Sequence, residues 1–413
     1  MANWAKLQEQ LTGLPVVKRA KHSIHFDKGN GEIVANFSSK PCHYQDTDGL
    51  WKPIDTKLLL LPDGFYGSPH SDVKIHKDGR VKAGGYQQKS ALVAAKEGVV
   101  DGDKIVREFK FGTQYLYMKE DGFRQETVIT RPPTTAEAKY LIASESGELP
   151  SKYKRSDITA VDADGAVHEF VNLGQFKKWL DAAAYPVTID PDFSGTSDGG
   201  DVYIGHDTRN YGAAISINVL NFPFLCRFIL SSISSAATCT AATLAYTLVQ
   251  VTDNSRTSAF NIYEVKDANG DWIEGTSNNA TAKEGEPTKT AKEADGAGGV
   301  KTAWAGGGKF SATPGIDFES TSLATQITLD TGDPVETVYT FTFNAAGISK
   351  LESWFGDATN NGFAVLSETS VPMYMGTAEH PTESYRPVLS VTYTAGSTGV
   401  PKHFLHYARL RSN

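Results

Sequence analysis

Cysteine is scarce in this sequence of 413 residues, which contains three, Cys42, Cys226 and Cys239. Three thiols cannot form the disulfide framework that stabilises small secreted domains. Their spacing matches no metal-binding motif, and Cys226 stands among apolar neighbours. We therefore expect three small, buried core residues in a protein made in a reducing cytoplasm.

Long apolar runs are also missing. The leucines at 58–61 stop at Pro62, whereas a membrane span needs roughly 18 apolar residues or more. Residues 1–10 lack the apolar centre of a secretory signal peptide. We expect neither a membrane span nor export by an ordinary signal.

An excess of basic charge is absent too. The chain has 40 Lys and Arg against 48 Asp and Glu, which leaves a formal charge of -8. Binding to a phosphate backbone requires a basic surface, and the small cluster at 152–155 is interpreted as a solvated loop. We expect no nucleic-acid partner.

Motifs that carry chemistry are not found. The ten histidines form no His-Glu-x-x-His pattern, and the sequence has neither a Gly-x-Ser-x-Gly elbow nor a phosphate-binding loop. Nothing in the sequence brings a nucleophile, a base and an orienting group together. We therefore expect a protein that is not an enzyme.

What the sequence does contain is a recurrent alternation of short strands and tight turns. Asp-Gly pairs are a strong hairpin signal, and they stand at 48–49, 63–64, 78–79, 101–102, 121–122 and 164–165. Strand-like runs continue through the second half with few long helical periods. The pattern predicts a mainly β fold with two antiparallel β domains, the C-terminal one a jelly-roll-like β-sandwich.

Prolines and glycines divide the chain into five parts. The first, residues 1–22, has apolar residues at helical spacing. The others are an N-terminal β-rich module at 23–193, a linker at 194–200, a β-sandwich at 201–395 and a tail at 396–413. Short helices are predicted at 174–184 and 345–355, where apolar residues recur on one face.

A long polar stretch lies between Gly275 and Ser311. Connections of this length inside a domain are uncommon and tend to be functional or mobile. Two interpretations are open, a solvated excursion or a segment that contacts a partner. Two interpretations are also open for the tail at 396–413, which would dock either on another subunit or on its own chain.

The second half resembles a known family. Its ordered landmarks are residues 201–205, 210–212, 227–228, 262–265, 272–274, 361–363 and 386–393. Together they resemble a DNRLRE-type domain, also named the disaggregatase-related repeat, which overlaps a family of carbohydrate-binding modules. The resemblance spans residues 198–395.

The first half has a counterpart as well. Residues 40–56 and 185–191 resemble a β module that precedes DNRLRE-like domains in bacterial wall-associated and Rhs-type surface proteins. Those proteins carry secretion signals and long YD-repeat regions, which are not found in this sequence. In their absence the chain looks more like a virion protein of a tailed bacteriophage.

The resemblance implies a non-enzymatic virion structural protein, as a capsid decoration protein, a head fibre or a tail-associated spike. Its partners would be other virion proteins, with a homo-oligomer or multiple copies on the particle, and a host-surface glycan. It would be assembled in the host cytoplasm and reside on the virion. The alternatives are a carbohydrate-binding adhesive protein of a bacterial cell surface and a polysaccharide-degrading enzyme.

Carbohydrate binding, which the resemblance implies, would require exposed aromatic rings beside polar groups. The candidates are Tyr203, Tyr211, Trp272 and Trp304. The alternative is that the two tryptophans plug the ends of the sandwich. Both interpretations are open at the level of sequence.

A calcium site is the only cofactor that the sequence suggests. Acidic residues cluster at the domain junction, and oxygen ligands gathered in a loop can surround a hard cation. The predicted ligands are Asp198 and Asp201. The alternative is that these acids serve solvation and turns.

Overall fold

The structure, a computed structural model, describes residues 4–395 with short gaps. The gaps are residues 91, 93–96, 120–121, 142–143, 147, 151–152, 156–158, 164–166, 170–171, 191, 196–198, 219–222, 253–255, 357–358 and 369–372. The tail predicted at 396–413 and the predicted ligand Asp198 therefore lie outside the described residues.

Helices are short throughout the described part of the chain. They are α1 (Trp4–Thr12), α2 (Thr135–Ala138), α3 (Leu173–Ala182) and α4 (Ala345–Ser353), with 3-10 turns at Asp267–Asn269 and Glu383–Tyr385. The Asn172 and Asn344 side chains cap α3 and α4 by accepting a backbone N–H three residues further on. The short helices predicted at 174–184 and 345–355 are thus confirmed, and within the segment 1–22 the helix α1 is followed by the strand β1 (Val16–Ala20). In the same described part, no helix has the length and apolar character needed to cross a membrane.

Strands account for most of the regular structure. In the first half they are β1 (Val16–Ala20), β2 (Ser23–Gly29), β3 (Glu32–Phe37), β4 (His43–Gln45), β5 (Trp51–Pro53), β6 (Leu59–Leu60), β7 (Tyr66–Gly67), β8 (Val73–Ile75), β9 (Arg80–Ala83), β10 (Tyr86–Lys89), β11 (Val99–Asp101), β12 (Lys104–Phe109), β13 (Gly112–Met118), β14 (Gly122–Ile129), β15 (Ser144–Ser146), β16 (Tyr153–Arg155), β17 (Thr159–Val161), β18 (Val167–Glu169), β19 (Val187–Asp190) and β20 (Asp192–Gly195). In the second half they are β21 (Gly200–Tyr203), β22 (Arg209–Asn210), β23 (Ser216–Asn218), β24 (Phe224–Arg227), β25 (Thr238–Val251), β26 (Thr257–Glu264), β27 (Ala280–Thr281), β28 (Glu293–Ala294), β29 (Val300–Thr302), β30 (Ile327–Asp330), β31 (Val338–Thr342), β32 (Phe363–Ser367), β33 (Met373–Gly376) and β34 (Val388–Thr394). The predicted mainly β, antiparallel fold is confirmed.

Residues 59–195 form a module of two sheets, which we name the N-terminal module. One sheet has the order β15-β10-β9-β8-β7-β6, and the other has β11-β12-β13-β14-β19-β17-β18, with β20 and β16 joined to β14. Ile75 and Val81 from the first sheet share a core with Leu116 and Phe123 from the second. Buried and more exposed residues alternate along β13 and β14, so one face of each strand covers this core.

The second half forms a β-sandwich. One sheet contains β34, β25, β33, β23 and β31, and the other has the order β21-β24-β32-β26-β30. Leu244 and Phe341 from the first sheet meet Phe260 and Val365 from the second in a fully or almost fully buried core. The sandwich-like architecture agrees with the prediction.

The first three strands belong to the sandwich. They extend its first sheet in the order β1-β2-β3-β34, and β3 pairs with β34 along its whole length. Trp4 of α1 then packs with Ile24 and Phe26 on this extension. This corrects the predicted boundary, which placed residues 23–37 in the N-terminal module. The pairing joins segments that are distant in sequence, and no local pattern indicates it.

The structure places both ends of the linker predicted at 194–200 in strands, and residues 196–198 lie outside the described residues. Strand β20 pairs with β14 and β16, so residues 194 and 195 are part of the N-terminal module. Strand β21 already begins at Gly200 in the sandwich. The predicted linker bounds were therefore too wide, because residues 194, 195 and 200 belong to strands.

The polar stretch at 276–311 is anchored on the outer face of the second sandwich sheet. Trp304 and Phe310 share a core with Val202 and Leu225, whose sequence neighbours face the main core. The stretch also contains the short strands β27, β28 and β29. Its polar sequence therefore conceals a second, smaller core on that sheet.

Candidate functional site

Four charged side chains from distant segments meet where the sandwich faces the N-terminal module. Lys40 follows β3, Asp201 lies in β21, Glu274 follows the 3-10 turn after β26, and Glu379 follows β33. We name these four residues the carboxylate cluster. Each comes from a separate part of the sandwich topology, so the cluster exists only in the folded chain.

The three acids lie close enough to share one ligand. One carboxylate oxygen from each of Asp201, Glu274 and Glu379 lies within 4.8 Å of the others. The ammonium Nζ of Lys40 lies 3.0 Å from Glu274 Oε2 and 2.5 Å from Glu379 Oε1. The Lys40 side chain is 11% exposed and both glutamate side chains are 8% exposed. Asp201 is buried.

Backbone N–H groups hold two of the acids in place. The Ala378 N–H donates to Asp201 Oδ2 at 2.8 Å, and the Asp201 N–H donates to Glu274 Oε1 at 2.9 Å. Gly200 has a φ of 143°, and a Cβ there would lie 2.5 Å from Glu274 Cδ. A glycine is therefore required beside the cluster, because a larger residue would displace the Glu274 carboxylate.

Burial controls the protonation of two of these acids. It raises the pKa of Asp201 and of Glu274 well above the usual range, because both carboxyl groups lose water. The nearby Glu379 raises both pKa values further, whereas Lys40 lowers them. One Lys40 ammonium thus only partly compensates three buried carboxyl groups.

Glu379 has a further property. Its Oε2 is buried and has no hydrogen-bond partner within the described part of the chain, whereas its Oε1 contacts Lys40. Buried carboxylate oxygens are normally hydrogen-bonded. This oxygen is therefore available to a ligand that the described residues do not supply.

Glu379 also lines an open groove of about 300 Å³ between the modules, which we name the module groove. Its walls come from β13 and β14 on one side and from residues 379–386 on the other. The lining residues are Thr56, Asp103, Tyr117, Met118, Lys119, Arg124, Glu126, Ile215, Glu379, Pro381, Glu383 and Arg386.

The module groove is lined by acidic and basic side chains together with the Tyr117 ring. The Tyr117 hydroxyl donates to Glu126 at 3.0 Å, and Arg124 pairs with Glu126 at 2.6 Å. Tyr115 stacks beside Tyr117 at 6.1 Å between ring centroids, and the Lys104 ammonium lies over both rings. The groove therefore offers donors and acceptors of both signs next to an apolar ring.

The carboxylate cluster is poorly suited to glycoside hydrolysis. That chemistry requires two carboxyl groups on either side of an accessible sugar bond. Of the three clustered acids, only Glu379 lines the module groove. Asp201 and Glu274 are held behind it by backbone and ammonium contacts.

The four aromatic residues predicted to bind sugar are not gathered on an exposed face. Tyr203, Trp272 and Trp304 are buried, and Tyr211 is partly buried against the sandwich core. The indole N–H of Trp272 donates to the Asn361 carbonyl at 2.9 Å. We correct that prediction for Tyr203, Trp272 and Trp304, because buried rings present no free face to a sugar.

The predicted calcium ligands have different outcomes. Asp198 lies outside the described residues, whereas Asp201 is a member of the carboxylate cluster. Sequence reasoning missed Glu379 and treated Glu274 only as a family landmark. Locally, the sequence shows only that Glu274 follows the apolar residues Trp272 and Ile273. This spacing does not reveal which residues the Glu274 carboxylate contacts.

The comparisons with known proteins add no family. A scan against protein-family models finds no match, and a search of curated proteins finds no relative. The resemblance of residues 198–395 to a DNRLRE-type domain thus stays a prediction.

Proposed function

We propose that this protein is a non-enzymatic structural protein of a tailed-bacteriophage virion, present in multiple copies on each particle. The observation that carries the proposal is the pairing of β3 with β34. It ties a segment near residue 35 into the same sheet as a segment near residue 390. This connection supports a role as a rigid part of a particle, alongside the sequence resemblance.

The buried junction adds to this support. The ion pairs of Lys40 with Glu274 and Glu379 connect the segment after β3 to two loops of the sandwich. Buried pairs of this kind are costly to break once one partner is removed. A protein exposed on a particle must keep its fold outside the cell, where no chaperone restores it.

The test is to find the protein on particles. Purified virions of the phage that encodes the sequence are separated by density gradient and analysed by mass spectrometry. We expect the protein in the particle fraction in a fixed ratio to the major capsid protein, and gold-labelled antibody should mark the head or the tail in electron micrographs. Presence in the lysate with absence from washed particles would sink the proposal.

The module groove favours glycan adhesion as a second activity. A hydroxyl-rich ligand needs both donors and acceptors, and Arg124 and Glu126 supply them beside the Tyr117 ring. Such single-site contacts are weak. Multiple copies on one particle would strengthen them by avidity.

The glycan site is tested by a pair of tyrosine variants. The full chain is screened on an array of bacterial surface glycans, and binding is remeasured for Tyr117→Ala. We expect roughly a tenfold loss, because the variant removes both the ring face and a hydroxyl.

Tyr115→Ala is the matched control for this experiment. Tyr115 lies on the same face of β13 but does not line the module groove. Retained binding in this variant would assign the loss to the groove. Equal losses in both variants, or no glycan bound by the full chain, would exclude the groove as an adhesion site.

A further inference from the structure

The carboxylate cluster carries an imbalance of charge. A bound cation requires the ionised acids, and in that form Asp201, Glu274 and Glu379 bring three negative charges against one positive charge on Lys40. The ionised cluster would therefore hold two uncompensated negative charges in a buried site, where water cannot screen them. A divalent cation would balance this remainder.

The cluster also shows an unfilled ligand position. Glu379 Oε2 is enclosed without a hydrogen-bond partner among the described residues, although the side chain is only 8% exposed. The Oε1 atom of the same carboxylate already contacts Lys40. Among the described residues no N–H or O–H group donates to Oε2, so this oxygen has a free position for a cation.

The ligand atoms select the type of cation. All three side chains offer carboxylate oxygens, which hard cations prefer. Calcium accepts six to eight oxygen ligands in flexible geometry, whereas magnesium demands a near-ideal octahedron and keeps several waters. A mostly buried set of carboxylates of unequal depth suits the more adaptable ion.

We propose that Asp201, Glu274 and Glu379 form an internal Ca²⁺ site that is reached from the module groove. Glu379 provides the entrance, because it is the one acid of the three that lines the groove. Asp201 and Glu274 form the inner side, where backbone donors fix them. Lys40 stays beside the site and neutralises the remaining carboxylate charge.

Occupation of this site would connect separate parts of the sandwich. Asp201 lies on the second sheet, Glu274 begins the connection that covers its outer face, and Glu379 follows a strand of the first sheet. A bound ion would stiffen the entrance to the module groove, where Glu379 and Arg386 lie. The ion is thus structural in this proposal and takes part in no reaction.

The experiment uses the full chain after removal of metals with a chelator. Calcium chloride is titrated by calorimetry, and the melting temperature is measured with and without calcium. We expect saturable binding of one ion and a rise in melting temperature, because a ligand that binds only the folded state stabilises it. Magnesium at the same concentration should bind more weakly.

Two variants assign the site. Glu379→Gln should weaken calcium binding by roughly tenfold or more, because affinity follows the number of charged ligands. Glu264→Gln is the matched control, since Glu264 is another buried carboxylate paired with a lysine, Lys350, at 3.0 Å. It should lower stability and leave calcium affinity unchanged.

The wild-type titration keeps the proposal open to refutation even if a variant does not fold. Absence of binding heat and an unchanged melting temperature up to millimolar calcium would overturn it. Equal affinity in wild type and folded Glu379→Gln would overturn it too. In either event, protons and Lys40 alone would neutralise the cluster.

Discussion

At the scale of single residues, the buried imidazole of His25 finds hydrogen-bond partners in segments far away in the sequence. His25 is fully buried, and its Nδ1 lies 2.9 Å from the Tyr393 hydroxyl. Its Nε2 lies 2.9 Å from Ser23 Oγ and 3.1 Å from Ser232 Oγ. This network connects β2 to β34, and it depends on an uncharged imidazole.

The protonation of His25 predicts acid sensitivity. Burial, with smaller contributions from Lys18 and His43, lowers the pKa of His25 from 6.5 to about 3. Between these two pH values the unfolded chain therefore binds more protons than the folded chain. The contribution of neutral His25 to stability is fully present above about pH 6.5, and it is lost as the pH decreases. We expect His25 to account for a loss of about 2 kcal/mol near pH 5.

Urea denaturation at a series of pH values checks this expectation. His25→Gln cannot be protonated, so its stability should fall less between about pH 6.5 and 5 than that of wild type. His206→Gln changes an exposed histidine and should retain the wild-type slope. Parallel pH profiles for wild type and His25→Gln would show that His25 does not cause the loss.

At the scale of elements, β3 decides how the sandwich is completed. It lies between β2 and β34, and its register runs from Glu32 opposite Thr394 to Phe37 opposite Leu389. Ala35 and Phe37 belong to the main sandwich core. The strand is therefore central, although it precedes the whole N-terminal module in sequence.

Proline substitution tests this placement. Ala35→Pro removes a backbone donor from a central strand and leaves a buried carbonyl unpaired, so it should lower the free energy of unfolding by about 1–3 kcal/mol or more. Hydrogen exchange in β34 should become faster, because β34 loses its neighbour. Denaturation curves and exchange measured by mass spectrometry give both quantities.

The control substitution lies on an edge strand. Val17 is exposed and stands at a register shift of β1, so Val17→Pro should change stability by no more than about 0.5 kcal/mol. If Ala35→Pro were as stable as Val17→Pro and β34 stayed protected, the pairing of β3 with β34 would be wrong.

At the scale of the whole molecule, the chain passes twice between the sandwich and the N-terminal module, and both modules line the module groove. The N-terminal module is an insertion between β3 and β21, both of which belong to the sandwich. The module groove and the carboxylate cluster lie beside each other and share Glu379. Ligands of the groove and of the cluster would therefore act on the same loop.

Much of the fold follows from local sequence. Gly49 and Gly79 have φ values of 77° and 92° in their predicted Asp-Gly turns, a backbone that glycine tolerates best. Helices α3 and α4 lie at the predicted positions, because apolar residues that recur on one face suffice to indicate a short helix. These signals act over a few residues and can be found by inspection.

The candidate site followed from sequence much less well. Asp201 was singled out, but Glu379 gave no signal, since a lone glutamate in a loop is most often a solvated residue. The role predicted for Trp272 and Trp304 was wrong for a related reason. Both residues are buried in a core, and the polar sequence near them gives no indication of that core. Residue type indicates what a side chain can do and leaves open where it is used.

The sequence by itself determined the mainly β class, the turns, the short helices, the net negative charge and the low cysteine content. These depend on backbone preferences and composition, which are local properties. Only the tertiary structure decided that β3 completes the sandwich and that Lys40 meets Glu274, 234 positions away. Such contacts arise because distant strands must bury their apolar faces together, and that requirement has no signature in any short window of sequence.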